Sequence, residues 1–230
     1  MIRLFTLIFS CLIFFTYNFS NSSAHVKHYN KIKYLKYNLF LNNELIGYHV
    51  LDFKKKDKTL EVNGGGSFKV SKLGIELMKY ITSSQAIYQD NQLIKFNSET
   101  TQNNKKKYVK IELKENTLNI DGSSFKGETN KDSMVSSWWN HEIVTKNKQI
   151  SSVSGRIIEQ KVRFLGKKKI TIDNKTFETL NFHIFSNDNK PMKEKKLNIK
   201  IWYDSETLLW LKASYEKLGK WEYRIAETKY

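Results

Sequence analysis

The stretch YLKYNLFLNNELIGYHVLDF, residues 34–53, contains the pattern that decides the fold. Residues 34–41 alternate in polarity, the pair Asn42-Asn43 follows, and a second strand-like run occupies residues 45–53. Asparagine tolerates positive φ angles and bonds to its own backbone, so an Asn pair between two such runs is typical of a β-hairpin. The stretch therefore predicts two antiparallel strands joined by a tight turn.

Comparable pairs of turn-forming residues recur along the chain. They separate further short runs at Asp90-Asn91, Asn103-Asn104, Glu115-Asn116 and Asp173-Asn174. These connections are too short to hold the crossover helices that a parallel sheet requires. Repeated hairpins at this spacing predict an antiparallel meander.

The predicted strands are apolar on one face only. Val109, Ile111 and Leu113 share one parity, and charged residues stand between them. We therefore predict a mostly β fold, a single curved antiparallel sheet of half-barrel or barrel-like shape. Its apolar face either encloses a ligand cavity or closes over a filled core, and the two alternatives give the same sequence pattern.

Helices are expected to be few, at most one or two short ones. Residues 71–85 carry apolar side chains at helical spacing, but Tyr80-Ile81-Thr82 is strand-prone, which favours a strand there. Residues 136–141, SSWWNH, are expected to form one helical turn, and the polar residues 127–135 a loop.

The N-terminus has the layout of a secretory signal peptide. Arg3 gives a positive start, residues 4–15 are almost continuously apolar, and Ala24 is a small residue at a suitable cleavage position. The alternative, a membrane anchor, needs roughly 20 apolar residues. We predict a signal peptide over residues 1–24 and a single exported β-sheet domain over residues 25–230. That domain is expected in the periplasm and is not expected to span the membrane.

Cysteine usage and charge narrow the function classes. Cys11 is the only cysteine, so a mature chain that begins after Ala24 has no thiol for catalysis, disulfides or metal binding. The net charge is +16, supplied mainly by lysine, whereas nucleic-acid recognition favours arginine. We expect no nucleic-acid partner. Solvated strand ends are the simpler interpretation of the lysines, and attraction to an anionic membrane or glycan is the alternative.

No motif for catalysis, metal or cofactor binding is apparent. His25 and His28 are able to chelate copper at a new N-terminus, but a tail without metal is the simpler interpretation. His49, His141 and His183 are isolated and are interpreted as histidines on a wet face or with satisfied hydrogen bonds. The sequence GGGS, residues 64–67, lacks phosphate-loop spacing and instead predicts a bulge or bend in a strand.

Aromatic residues supply the candidate ligand-binding residues. They cluster in two motifs, SWWN and WYD, and the candidates are Trp138, Trp139, Asn140, Trp202 and Tyr203. Packing in the core is the alternative role for each of these aromatic side chains.

These motifs resemble those of an uncharacterised bacterial family of periplasmic proteins, a domain of unknown function. The resemblance covers residues 34–228 and rests mainly on SWWN, on Ser154-Gly155-Arg156 and on WYD with its hairpin. It implies an antiparallel sheet and supplies no activity. The chain departs from the family pattern at Gln85, where an acidic residue is expected. A looser, fold-level likeness is to Lol-type lipoprotein carriers, half-barrels that shelter acyl chains.

Together these observations favour a non-enzymatic periplasmic protein. Its expected partner is a hydrophobic or amphipathic ligand, such as a lipid, on the concave face of the sheet. The alternative is a structural or protein-interaction module of the cell envelope with a filled core, whose partner is an envelope protein.

Overall fold

The computed structural model describes residue 29 and residues 31–230, and the predicted mostly β fold is confirmed. Residues 1–24, the predicted signal peptide, and the His25–His28 tail lie outside the described residues. The strands are β1 (Tyr34–Leu41), β2 (Glu44–Lys56), β3 (Thr59–Lys72), β4 (Ile75–Gln89), β5 (Gln92–Gln102), β6 (Lys105–Lys114), β7 (Thr117–Gly122), β8 (Phe125–Asn130), β9 (Met134–Val135), β10 (Lys148–Ile150), β11 (Ile157–Ile172), β12 (Lys175–Ser186), β13 (Asn198–Asp204), β14 (Trp210–Glu216) and β15 (Lys220–Lys229). Short 3-10 helices occupy His141–Thr145 and Met192–Glu194.

All fifteen strands form one curved, unclosed sheet. Its order is β8-β7-β6-β5-β4-β3-β2-β1-β15-β14-β13-β12-β11-β10-β9, so that the first strand pairs with the last. Neighbours are antiparallel except for the short pair β9–β10, which is parallel. The structure is therefore the predicted meander, completed by the β1–β15 pairing.

The predicted turns have the backbone conformation that selects asparagine and aspartate. Both residues of Asn42-Asn43, Asp90-Asn91, Asn103-Asn104 and Asp173-Asn174 have positive φ angles, between 45° and 70°. Two consecutive positive φ angles are the mark of a type I′ turn, whose twist matches that of the flanking strands. Local sequence thus fixes four of the hairpins.

Several local predictions need correction. Residues 127–135 include the end of β8 and all of β9, so they are not simply a loop. The helical turn begins at His141 rather than at residue 136, because the Asn140 side chain caps it by accepting a hydrogen bond from the Glu142 amide. The predicted bulge at Gly64–Gly66 is absent, since β3 passes through these residues in unbroken register with β2 and β4.

The concave face has two different halves. In one half Trp139, only 1% exposed, packs edge-on against Tyr29, Phe53 and Tyr88, with ring centroids 5.1–5.8 Å apart. Residues 131–156 cross this face and are fastened by hydrogen bonds from Tyr203 Oη to the Trp138 carbonyl (2.8 Å) and from Ser98 Oγ to the Ser152 carbonyl (2.5 Å). Packing by this segment fills one half of the sheet and leaves a cavity in the other.

Candidate functional site

The candidate site is a partly enclosed cavity of about 260 Å³ on the concave face. Strands β1–β5, β14 and β15 form its walls, and residues 136–138 and 152–153 cover it. Its aromatic residues are Tyr48, Phe68, Tyr80, Phe96, Trp138, Trp210 and Tyr223, and its hydroxyl-bearing residues are Ser67, Thr82, Ser84, Ser98, Ser136, Ser137 and Ser152. None of the described Asp, Glu, Lys or Arg residues lines it, although the chain carries a net charge of +16.

Gly66 creates part of this space. It lies directly between His49 of β2 and Thr82 of β4. A Cβ built on it would stand 3.2 Å from the Tyr48 carbonyl oxygen, 3.5 Å from Thr82 Cγ2 and 3.6 Å from His49 Cδ2. A larger side chain there would therefore extend into the cavity. The next glycine on the same face, Gly64, leaves room for the Ser84 hydroxyl, which would stand 2.5 Å from a Cβ at that position.

Among the residues that the structure describes, His49 is the only histidine in the cavity wall. It packs among the rings of Tyr37, Trp210 and Tyr223, with centroids 6.2–6.4 Å away, and forms no hydrogen bond with any residue that the structure describes. Burial lowers the pKa of His49 to about 4, since no neighbouring charge or acceptor stabilises the protonated ring. The side chain is therefore neutral at physiological pH. This placement corrects the sequence-based interpretation of His49 as a wet-face or hydrogen-bonded histidine.

Two indole N–H groups in the wall lack partners. Trp138 Nε1 and Trp210 Nε1 are buried, and neither finds an acceptor among residue 29 and residues 31–230. The Trp210 carbonyl, in contrast, accepts a hydrogen bond from Tyr37 Oη at 2.9 Å. A buried donor without a partner costs roughly 1–3 kcal/mol.

The structure separates the candidate residues predicted from sequence. Trp138 lines the cavity, packing edge-on against Trp210 and Tyr223 at 5.6 and 5.5 Å. Tyr203 is buried and holds Trp138 through its carbonyl. Trp139 belongs to the packed half, Asn140 caps the 3-10 helix, and Trp202 lies under the Lys212 ammonium, 5.4 Å from its ring centroid, outside the cavity.

Sequence reasoning missed most of the wall. His49, Gly66 and Ser84 lie on three neighbouring strands, and only the register brings them together. The one local signal is the run of glycines in β3, where the alternation of side chains makes Gly64 and Gly66 share the concave face.

The described residues contain no cluster of three or more His, Cys, Asp or Glu side chains suited to a metal ion. Within the same part of the chain, no helix combines the length and the apolar character needed to cross a membrane.

Comparisons with known proteins show a family and a fold. A family model described as "Domain of unknown function (DUF6134)" matches residues 37–226. A crystal structure of a "Beta-barrel-like Protein of Domain of Unknown Function DUF1849 from Brucella abortus" is similar at a TM-score of 0.61 and 10% identity, covering 86% of this chain and 97% of that one. At this identity the likeness shows the fold alone. None of the curated proteins matches the sequence. The predicted resemblance to an uncharacterised β-rich family is thereby confirmed.

Proposed function

The chain belongs to the DUF6134 family, a domain of unknown function, and we propose that it binds an uncharged amphipathic molecule in the cavity on its concave face. One acyl chain of a lipid is an example of such a ligand. The proposal includes that the protein is exported to the periplasm and is not an enzyme. The observation that carries this proposal is the composition of the wall. It combines aromatic rings with hydroxyl groups, and none of the described Asp, Glu, Lys or Arg side chains is part of it. Apolar walls with a few polar groups are typical of small-molecule sites.

The size of the cavity limits the ligand. A volume of about 260 Å³ equals the space of roughly nine water molecules, so it suits a molecule, or the end of a longer chain, with a similar number of non-hydrogen atoms. Several acyl chains do not fit at once. A single chain that enters from the open side is the best match.

The polarity of the wall limits the ligand further. A carboxylate or phosphate inside the cavity would meet no cation from the described part of the chain, because His49 is neutral and no described lysine or arginine lines the wall. The serine and threonine residues of the wall instead favour an ester, ether or alcohol oxygen.

The same residues support a role without catalysis. A nucleophilic serine needs a base within hydrogen-bond reach, and His49 forms no hydrogen bond with Ser84 or any other described serine. No carboxylate of residues 31–230 lines the wall, so none orients the imidazole or stabilises its protonated form. The arrangement therefore favours binding over acyl transfer.

A cavity-filling substitution tests the proposal. Residues 25–230 are expected to bind a polarity-sensitive dye that a monoacylglycerol displaces more effectively than the fatty acid of equal chain length. Gly66→Leu places a side chain in the cavity and is expected to weaken dye binding at least about tenfold. Gly65→Leu is the matched control, because a Cβ there meets only Val50 Cγ2 at 3.5 Å.

Equal dye binding by both leucine variants would show that the cavity is not the binding site. Failure of the unsubstituted protein to bind any uncharged amphiphile would instead support the alternative function, an interaction module of the cell envelope.

Export is tested separately by fractionation of cells that express the full chain. The protein recovered from the periplasm is expected to begin at His25. Retention of residues 1–24 on a cytoplasmic product would contradict this part of the proposal.

A further inference from the structure

The β3–β4 hairpin projects beyond the rest of the sheet. Strand β2 pairs with β3 only as far as Phe68, and β5 pairs with β4 only as far as Tyr80. Within the sheet, residues 69–79 therefore pair only with one another, over four residue pairs or roughly 13 Å, and Asn103 of the β5–β6 turn bonds to their base at Leu77 and Lys79. At the tip Leu73 is 94% exposed, and Ile75 and Leu77 are 66% and 54% exposed.

Folding alone gives no reason for leucine at this tip. Leu73 has a φ of 51° and precedes Gly74, a turn conformation that favours asparagine. Leu218, in the β14–β15 turn, repeats the arrangement with a φ of 55°, 96% exposure and a following glycine. Both leucines carry backbone strain and make almost no packing contact, so their apolar side chains serve something outside the chain.

These turns lie on one rim of the sheet. The β1–β2 turn contacts the β14–β15 turn through the hydrogen bond from the Asn42 amide to the Lys220 carbonyl, and the β5–β6 turn contacts β4 through the bond from the Asn103 amide to the Lys79 carbonyl. We call the residues 42–45, 69–79, 102–107 and 216–220 the apolar rim. The six exposed leucines and isoleucines among the described residues lie on or directly beside it: Leu45, Leu73, Ile75, Leu77, Ile81 and Leu218.

The rim is also strongly positive. Its four segments contain eight lysines and three glutamates. One of those glutamates, Glu76, is already paired with Lys69 at 3.0 Å, and Lys220 is paired with Glu222 at 2.9 Å. The run Lys105-Lys106-Lys107 lies beside the projecting hairpin without a carboxylate partner among the described residues. Exposed aliphatic side chains surrounded by lysines match the interface of an anionic lipid bilayer.

We propose that the apolar rim docks this protein on an anionic membrane surface, with Leu73, Ile75, Leu77 and Leu218 inserted among the lipids and the lysines against the headgroups. Lysines also occur at the opposite end of the sheet, at Lys167–Lys169. The described chain exposes Phe164 three residues before this run and Tyr230 at the same end, but no group of several exposed apolar residues as on the rim. The apolar residues therefore identify the docking side. The proposal does not rest on ligand binding, although the cavity lies in the half of the concave face nearer this rim.

Vesicle co-sedimentation of residues 25–230, which contain all of the described strands, tests the docking. Binding is expected to vesicles of phosphatidylcholine with phosphatidylglycerol and to be at least about tenfold weaker to phosphatidylcholine alone. The triple change Leu73→Ser, Ile75→Ser, Leu77→Ser is expected to weaken binding by a similar factor. Lys105→Glu, Lys106→Glu, Lys107→Glu is expected to do the same. The matched control Lys167→Glu, Lys168→Glu, Lys169→Glu changes the net charge equally and is expected to retain most of the binding.

A fluorescent label reports insertion directly. Residues 25–230 contain no cysteine, so Leu73→Cys accepts a single environment-sensitive dye. Its emission is expected to shift to the blue on anionic vesicles, whereas a dye on Phe164→Cys, an exposed residue of β11 away from the rim turns, is not. Equal losses from the two lysine triplets, or equal shifts from the two labels, would overturn the proposal. Gly66→Leu is expected to bind vesicles normally. Membrane docking and ligand binding in the cavity are therefore tested independently of each other.

Discussion

His49 presents an uncharged imidazole to the cavity, and this single side chain makes the stability of the fold depend on pH. The pKa of an exposed histidine is 6.5, and burial lowers that of His49 to about 4. Between these values the unfolded chain binds a proton that the folded chain does not, so the free energy of unfolding falls as the pH falls from 6.5 towards 4. The rings of Tyr37, Trp210 and Tyr223 surround the imidazole and provide no compensating charge.

We predict that the unsubstituted domain loses about 2–3 kcal/mol of unfolding free energy across this range and that His49→Gln loses correspondingly less. Denaturant unfolding at several pH values measures both. At lower pH, Glu222 also makes the unfolding free energy depend on pH. Burial raises the pKa of Glu222, but hydrogen bonds from Lys212, Lys220 and Arg224 outweigh this effect and lower it to about 2. The loss of unfolding free energy that Glu222 causes begins only below the usual glutamate pKa of 4.5, and it is the same in the unsubstituted domain and in His49→Gln. Parallel pH profiles for the two proteins above pH 5 would contradict the assignment to His49.

At the scale of single elements, most hairpin turns carry residues that suit the turn conformation, whereas the β3–β4 turn carries a leucine that does not. Four Asn/Asp pairs occupy type I′ turns and contribute to the fold through their own conformational preference. The β3–β4 turn adopts positive φ at both Leu73 and Gly74, where an Asn-Gly pair fits better. The leucine is therefore explained by its exposure on the apolar rim rather than by the turn.

Leu73→Asn is predicted to raise the unfolding free energy by about 1 kcal/mol, because a leucine in the left-handed region is strained and an asparagine is much less so. The same substitution is expected to weaken vesicle binding. Leu77→Asn is the control: Leu77 is exposed but lies in extended strand, so no gain in stability is expected there. Denaturant unfolding and co-sedimentation on the same samples measure the two effects. If Leu73→Asn gains stability but binds vesicles as well as the unsubstituted protein, Leu73 has no role in membrane docking.

These elements also mark how much was predictable from sequence. Alternation and turn chemistry act over a few residues, so hairpins such as β1–β2 and the curved meander followed from the sequence. The glycines at residues 64–67 were expected to mark a bulge or bend, but no bulge is present, and Gly66 instead leaves space beside His49, as Gly64 does for the Ser84 hydroxyl. Such a requirement arises between strands and is invisible in a local pattern. The order β9–β10–β11 and the course of residues 131–156 have no periodic signal for the same reason.

At the scale of the whole molecule, the sheet combines the two architectures that the sequence left open. One half of the concave face is filled by the segment that carries Trp139, and the other half keeps a cavity beneath Trp138. Trp138 and Trp139 are adjacent in sequence but have different roles, because residues 131–156 change direction between them. The Tyr203 hydroxyl holds this segment in place by donating a hydrogen bond of 2.8 Å to the Trp138 carbonyl.

This division predicts that the two tryptophans respond differently to truncation. Trp139→Ala removes a fully buried side chain packed against three aromatic rings and is expected to lower the unfolding free energy by about 3–5 kcal/mol, with ligand affinity preserved at temperatures where the variant is folded. Trp138→Ala removes part of the cavity wall and is expected to weaken dye binding about tenfold with a smaller loss of stability. Thermal unfolding and dye titration on both variants give the comparison. If Trp139→Ala, while folded, weakens binding more than Trp138→Ala, the ligand lies in the half assigned to the packed core, and the division of the sheet into a scaffold half and a binding half is wrong.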